Sequence, residues 1–234
     1  YMHRNLFAEL MSWKFWIDRG GTFTDIIGRS SSGEVLIRKV LSERIDKSED
    51  PAITAIKKVL NLKENLPIPQ GLIKEVRLGT TVATNALLQR KGVPVVLLCN
   101  SGLGDLLRIG DQHRSNLFGI KPQGNPFIAE SVIEVTGRID AKGNEIEALC
   151  LNKSLEKEVL NHLSKGKRSF AISLINSYKN PQHEIQLQKW LKNLGIITVV
   201  SSHKITPLPR IVPRGQTTVI EATISPILFD YLNR

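Results

Sequence analysis

The chain has 234 residues, of which 41% are hydrophobic, and its 32 Lys+Arg against 22 Asp+Glu give a formal net charge of +10. That length and composition suit one large domain or two small ones with a buried core, and no apolar run approaches the ~20 residues of a membrane helix. Two cysteines, Cys99 and Cys150, and five dispersed histidines argue against both a disulfide framework and a zinc site. The basic surplus is scattered, without a dense basic run or an RNA-binding signature, so nucleic acid is not the expected partner. The first residues lack the apolar segment and small residues of a leader, and a cytoplasmic protein is expected.

In chain order, Met11 sits just before the first strand, so the opening residues read as an extension. Lys14 to Asp18 reads as a short buried strand, and Thr22 to Arg29 as its hairpin partner across a glycine turn. Ser31-Ser32-Gly33 turns the chain into a third strand, Glu34 to Leu41. Asp50-Pro51 opens a helix, with Ile53, Ile56, Val59 and Leu60 at helical spacing. Glu75 to Leu78 reads as a strand, Val82 to Arg90 as a helix stopped by Gly92, Val93 to Cys99 as a strongly apolar strand, and Leu103 to Ile109 as a helix. Cys99 ends that apolar strand and is expected to be buried.

Gly, Pro and Asn concentrate between Gly119 and Pro126, a predicted linker or extended loop. Val132 to Ile139 and Glu145 to Leu149 flank a hairpin turn at Ala141 to Asn144. Ser154 to Ser164 is an amphipathic helix, Ser169 to Ile175 a strand, Asn180-Pro181 the start of a helix reaching Leu194, and Ile196 to Val200 a strand. Residues 167 to 200 thus form a β-α-β unit. Ile224 to Arg234 reads as a helix with no tidy finish, which suggests a truncated frame. Tight turns make the first three strands antiparallel, and helical crossovers make later ones parallel. The expected fold is α/β: a mixed sheet followed by a second β-α-β unit. Its element order is similar to the ribonuclease-H-like half of actin-like ATPases, an analogy of order alone.

The sharpest local pattern is Asp18-Arg19-Gly20-Gly21-Thr22-Phe23-Thr24-Asp25. Glycines let backbone N–H groups approach a phosphate. The hydroxyls of Thr22 and Thr24 can donate to phosphate oxygens, and Asp18 can hold Mg2+ directly or through water. The competing reading is an ordinary Gly-Gly hairpin turn with a solvated aspartate. A second pattern, Gly79-Thr80-Thr81-Val82-Ala83-Thr84-Asn85, ends a strand and starts a helix, where free N–H groups and the dipole favour anions. Thr80 or Thr81 could equally be plain helix caps. Asn85 could contact substrate or nucleotide, or make a structural hydrogen bond.

Elsewhere, His113 is a loop candidate beside Arg114, and His162 and His183 are expected on helix surfaces. Arg210 and Arg214 could contact phosphate or lie in a solvated loop. Trp190 is expected in the core.

Phe15 to Asp25 and Gly79 to Leu88 together resemble the hydantoinase A/5-oxoprolinase family. Ile109 to Arg114, Ser177 to Glu184 and Pro207 to Thr217 fit the same family in the same order. The chain departs from the family pattern at Asp111 and Asn176. The resemblance implies an actin-like ATPase fold that opens a five-membered lactam or imide, such as 5-oxoproline or a hydantoin, using ATP and Mg2+. It implies a hydantoinase B-like partner, with residues 1-13 an N-terminal extension, 14-205 the N-terminal region of the family, and 206-234 the truncated start of the following core domain. It makes Asp18 the metal-associated catalytic carboxylate. Gly20, Gly21, Thr22 and Thr24 become the phosphate cradle, with Gly79, Thr80, Thr81 and the catalytic candidate Asn85 near phosphate or substrate. Two other readings stand beside it: the ATP-using subunit of a ketone carboxylase, and a non-catalytic binding or assembly module, which the lack of a second Asp-x-Gly-Gly-Thr string favours.

Overall fold

A computed structural model describes residues 12–42, 50–63, 65–110, 129–167 and 169–233. The chain divides into two compact units, Tyr1–Gln89 with Tyr231–Arg234, and Arg90–Asp230.

The first unit is built on strands β1 (Trp13–Arg19), β2 (Phe23–Ser30), β3 (Val35–Leu41) and β4 (Ile73–Thr80), in the order β3-β2-β1-β4. β2 pairs antiparallel with β1 and β3, whereas β4 runs parallel to β1, so the sheet is mixed. Alternation in β1 sends Trp13, Phe15 and Ile17 into the core and Lys14, Trp16 and Asp18 to the other face. Helix α1 (Pro51–Val59) covers the inner face with Ala52, Ala55 and Ile56, at helical spacing. Its start follows from sequence: the Asp50 carboxylate accepts from the Ala52 N–H at 2.9 Å, and Pro51 lies where no helical donor is needed. Helix α2 (Val82–Leu88) follows β4.

The second unit holds a four-stranded parallel sheet, β5 (Val95–Asn100), β6 (Ser131–Val135), β9 (Ser169–Ile172) and β10 (Thr198–Ser201), in the order β10-β9-β5-β6. The strand expected at Val93 to Cys99 therefore joins this sheet, not that of the first three strands. All six residues of β5 are buried; a strand apolar on both faces needs cover on both, which the interior of a parallel sheet supplies. Val96 and Leu98 pack with Phe170, Ile172, Val159 of α4 (Lys153–Ser164) and Leu187 and Leu191 of α5 (Gln182–Asn193). Val95, Leu97 and Ala171 face Leu107, on the short helix α3 (Leu106–Ile109), and Val212, Val219 and Ala222 of α7 (Ile211–Leu232). Each such aliphatic chain contributes about 1.5–3 kcal/mol on burial.

The β9-α5-β10 crossover is the expected β-α-β unit. The expected strand from Val132 to Ile139 breaks at Gly137, whose φ is +141°. Its first half is β6, and its second, β7 (Arg138–Ile139), pairs with β8 (Glu145–Glu147) across the predicted turn. A short helix, α6 (Ser202–Ile205), follows β10. Among the described residues no helix is long and apolar enough to cross a membrane. The loop expected at Gly119 to Pro126, together with Asp111 and His113, lies outside the described residues.

Candidate phosphate-binding site

The two glycine- and threonine-containing motifs meet at one end of the first sheet. β1 and β4 lie side by side in parallel, so Asp18 is level with Gly79 and Arg19 with Thr80. The Gly20 N–H donates to Phe23 O at 3.0 Å and closes the β1–β2 turn. The Thr81 N–H donates to Arg19 O at 3.2 Å, joining the second motif to the first. Asn85, one turn into α2, donates from Nδ2 to Thr81 Oγ1 at 3.3 Å. A Cβ on Gly21 would lie 3.5 Å from that same nitrogen, and a Cβ on Gly79 would lie 3.6 Å from Asp18 Oδ1. Asp18, Gly21, Thr22, Gly79 and Thr81 are exposed, so this end of the sheet is open to an anion.

Not every threonine points outward. Thr24 is 1% exposed, and its hydroxyl lies 3.0 Å from Ser42 Oγ, which donates to Gly20 O at 2.7 Å. Thr24 therefore braces the turn from beneath. The Thr80 hydroxyl accepts from the Val82 N–H at 3.2 Å just before α2, and the exposed Thr81, the N-cap residue, donates to Arg19 O at 3.5 Å and accepts from Asn85.

The local reading did not single out Arg19 and Ser42. Arg19 continues the inward alternation of Trp13, Phe15 and Ile17, and that period-2 pattern is the signal that could have found it. Its guanidinium pairs with Asp50 and donates to Ser42 O at 2.7 Å. Burial works to lower its pKa, but Asp50 and Tyr231 together hold it above the ordinary value. Arg19 thus ties the end of β1 to the cap of α1 and to the chain after β3.

Asp25 lies directly across from Asp18 on the same face, and Lys39 holds it at 2.9 and 3.0 Å. Among the described residues no three His, Cys, Asp or Glu side chains converge. A divalent cation here would therefore have one free carboxylate, hydroxyls and water. That all-oxygen, water-rich donor set suits Mg2+, which keeps several waters and binds largely through substrate phosphates.

A second polar cluster lies in the Arg90–Asp230 unit, at the carboxyl ends of β9 and β10. Glu184, fully buried, accepts from the Leu174 N–H at 2.9 Å and Ser202 Oγ at 2.6 Å, and meets His203 Nδ1 at 2.6 Å. Arg214, also fully buried, donates to Leu174 O, Leu208 O and Ser202 Oγ at 2.7, 2.6 and 3.0 Å. Desolvation lowers its pKa, and Glu184 opposes the shift. Arg214 is therefore neither solvated nor open to phosphate; it locks the loops after two strands. His183 is likewise not on the surface: it is 2% exposed, with Nε2 2.5 Å from Glu145. Trp190 packs against the core as expected.

Residues 14–195 match the family described as hydantoinase/oxoprolinase N-terminal region. The chain is 36% identical to 5-oxoprolinase 1 of Arabidopsis thaliana over 247 residues, which cover 94% of this chain and 19% of that protein. The ATP-dependent caprolactamase of Pseudomonas jessenii superimposes with a TM-score of 0.73 at 27% identity, over 94% of this chain and 33% of that one. A nucleotide-free acetone carboxylase, at TM-score 0.70 and 22% identity over 93% of this chain and 33% of that one, is alike in fold. The chain spans about a fifth of the length of the 5-oxoprolinases it matches.

Proposed function

The chain belongs to the hydantoinase/oxoprolinase family, and from that premise we propose that it is the N-terminal part of an ATP-dependent cyclic amidohydrolase that opens a five-membered lactam or imide. The observation that carries this reading is the junction at Asp18: two motifs some sixty residues apart in sequence share one exposed sheet end, joined by the Thr81–Arg19 hydrogen bond. In this reading residues 14–205 form the N-terminal region and 206–234 open the following core domain.

A five-membered cyclic amide resists hydrolysis because its leaving nitrogen stays tethered and recloses the ring. Transfer of a phosphoryl group from ATP to the amide oxygen makes the ring carbon electrophilic. Water then adds, the C–N bond breaks to give an acyl phosphate, and hydrolysis of that phosphate completes the cleavage. The protein's part is positioning and charge stabilisation. Gly20 and Gly21 keep the turn low enough for its N–H groups to approach a phosphate, and Thr22 and Thr81 present hydroxyls. Asn85 orients Thr81 and overlooks Gly21. Asp18 would hold Mg2+, which would supply electrostatic neutralisation of the phosphates. Thr24, Ser42 and Arg19 fix the turn.

The test takes the full-length polypeptide carrying this sequence, co-expressed with a hydantoinase B-like subunit in the cytoplasm, and measures phosphate release from Mg-ATP. Release stimulated by 5-oxoproline, and reduced about 100-fold or more in Asp18→Ala, is expected. Release indifferent to 5-oxoproline and to hydantoins sinks the amidohydrolase reading; release that needs a ketone with bicarbonate turns it to a carboxylase.

A further inference from the structure

The opposite end of β1 carries a cavity of about 390 Å³, lined among others by Lys14, Trp16, Arg29, Ser30, Ser31 and Lys74. Its volume lies within the range of small-molecule sites, roughly 300–1,000 Å³. Asp18 lies four residue steps beyond Lys14, about 13 Å along the strand, so this cavity is not the phosphate-loop end of the sheet.

Its charges are arranged against the economy of a sheet. Lys14 and Arg29 are directly opposed across β1 and β2 on the same face, and like charges so placed are destabilising unless something neutralises them. A third cation is brought in by a backbone irregularity. Trp13 pairs with Ile73 and Lys14 with Glu75, so Lys74 is an extra residue on β4 with no counterpart on β1. Such a bulge re-aims a side chain, and here the cavity wall takes Lys74. The nearby carboxylate does not balance the set: Glu75 is shared between Lys14 at 3.2 Å and Arg77 at 2.5 Å. Among the described residues neither Arg29 nor Lys74 has a carboxylate partner. Trp16 adds a half-buried ring to the wall, able to lie against the ligand's carbon skeleton.

We propose that this cavity binds a small dianion, a phosphate ester or dicarboxylate, at a site separate from the phosphate loop. Lys14, Arg29 and Lys74 supply the charge, and Trp16 packs against the ligand.

Glycerol 3-phosphate and succinate serve as probes, titrated by calorimetry and by tryptophan fluorescence into the full chain in EDTA, which removes any metal contribution at Asp18. Saturable binding of at least one probe is expected, weakened about tenfold or more by Arg29→Ala and by Lys74→Ala, and restored by Lys74→Arg. Trp16→Phe should remove the fluorescence change. Asp18→Ala and a distant surface control, Lys157→Ala, should leave the affinity unchanged. Whichever probe binds more tightly identifies the anion. Absence of saturable binding, loss in Asp18→Ala, or equal weakening by Lys157→Ala overturns the proposal. Circular dichroism of each variant separates lost binding from lost fold.

Discussion

Ser169 Oγ donates to the Ala222 carbonyl at 2.6 Å, deep in the second unit. That carbonyl lies four residues before Pro226, which sits inside α7 without an N–H to return to it. The β9 hydroxyl therefore replaces the helical donor that proline removes. Ser169→Ala would leave a buried carbonyl unsatisfied and should cost about 1–3 kcal/mol. Pro226→Ala restores an N–H and should recover part of that loss in the double variant. Denaturant unfolding of the four proteins checks it; equal losses from Ser169→Ala with and without Pro226 would show that the two are not coupled.

Gly28 shows a tighter restriction in the first unit. A Cβ there would lie 2.7 Å from Phe15 Cε1 and 3.3 Å from Trp13 Cε3. These rings stack with centroids 5.9 Å apart and fill the core face of β1. Gly28→Ala should thus overpack the core and cost about 1–3 kcal/mol despite the gain in strand propensity. Gly33→Ala is strained through its φ of +91° but meets no atom within 4 Å, and should cost less. Thermal melts of both variants decide between these causes.

The acid limb of stability should report Glu184. Burial pushes its pKa up, but His203, the Leu174 N–H and Ser202 together hold it below the ordinary glutamate value of 4.5. A carboxylate depressed by folding stabilises at pH values above its unfolded pKa. That contribution is lost as pH falls below about 4.5 towards the folded value. Glu184→Gln should lower stability at pH 7 by about 1–3 kcal/mol, because the buried groups that bond the carboxylate lose a charged acceptor and the buried Arg214 loses its nearby negative charge. It should also flatten the fall in stability as pH drops below about 4.5, since the lowered pKa is lost with the carboxylate. An unchanged acid limb in the variant would place the sensitivity elsewhere.

Where the fold was legible, the information was local. The β1–β2–β3 meander follows from alternation and two glycine turns, and the start of α1 from Asp50-Pro51. What escaped depended on distant partners. Only the helical end of α7 was foreseen, from Ile224 onward; the part before it contains Pro213 and Gly215. Pro213 lies in the first turn, where its missing N–H costs nothing. Gly215 packs where a Cβ would meet Leu107 at 2.8 Å, and Ser169 answers Pro226. The placing of β5 in a second sheet rests on parallel pairing that no local pattern encodes. At the candidate site, the spacing of Asp18, Gly20, Gly21 and Thr22 was visible. The support from Ser42 and Asp50 was not, since each lies more than twenty residues from Arg19.

The two thiols should separate cleanly in reactivity. Cys99 is 5% exposed, in the centre of the parallel sheet, and burial, aided by Glu134, pushes its pKa up to about 12. The thiolate is the reacting species, so at pH 8 its population would be smaller than that of a free cysteine by about three orders of magnitude, before steric exclusion is counted. Cys150 is exposed, beyond the end of β8, and Asn152 Nδ2 donates to its sulfur at 3.4 Å. A disulfide-exchange reagent at pH 8 should therefore titrate one thiol per native chain at the rate of an ordinary exposed cysteine, and two in denaturant. Cys150→Ser should abolish the fast phase. The slow reaction of Cys99 should then track opening of the second unit and accelerate in Ser169→Ala, where the seam between β9 and α7 is weakened. Two fast thiols in the native chain would contradict the buried position of Cys99 and, with it, the central place of β5.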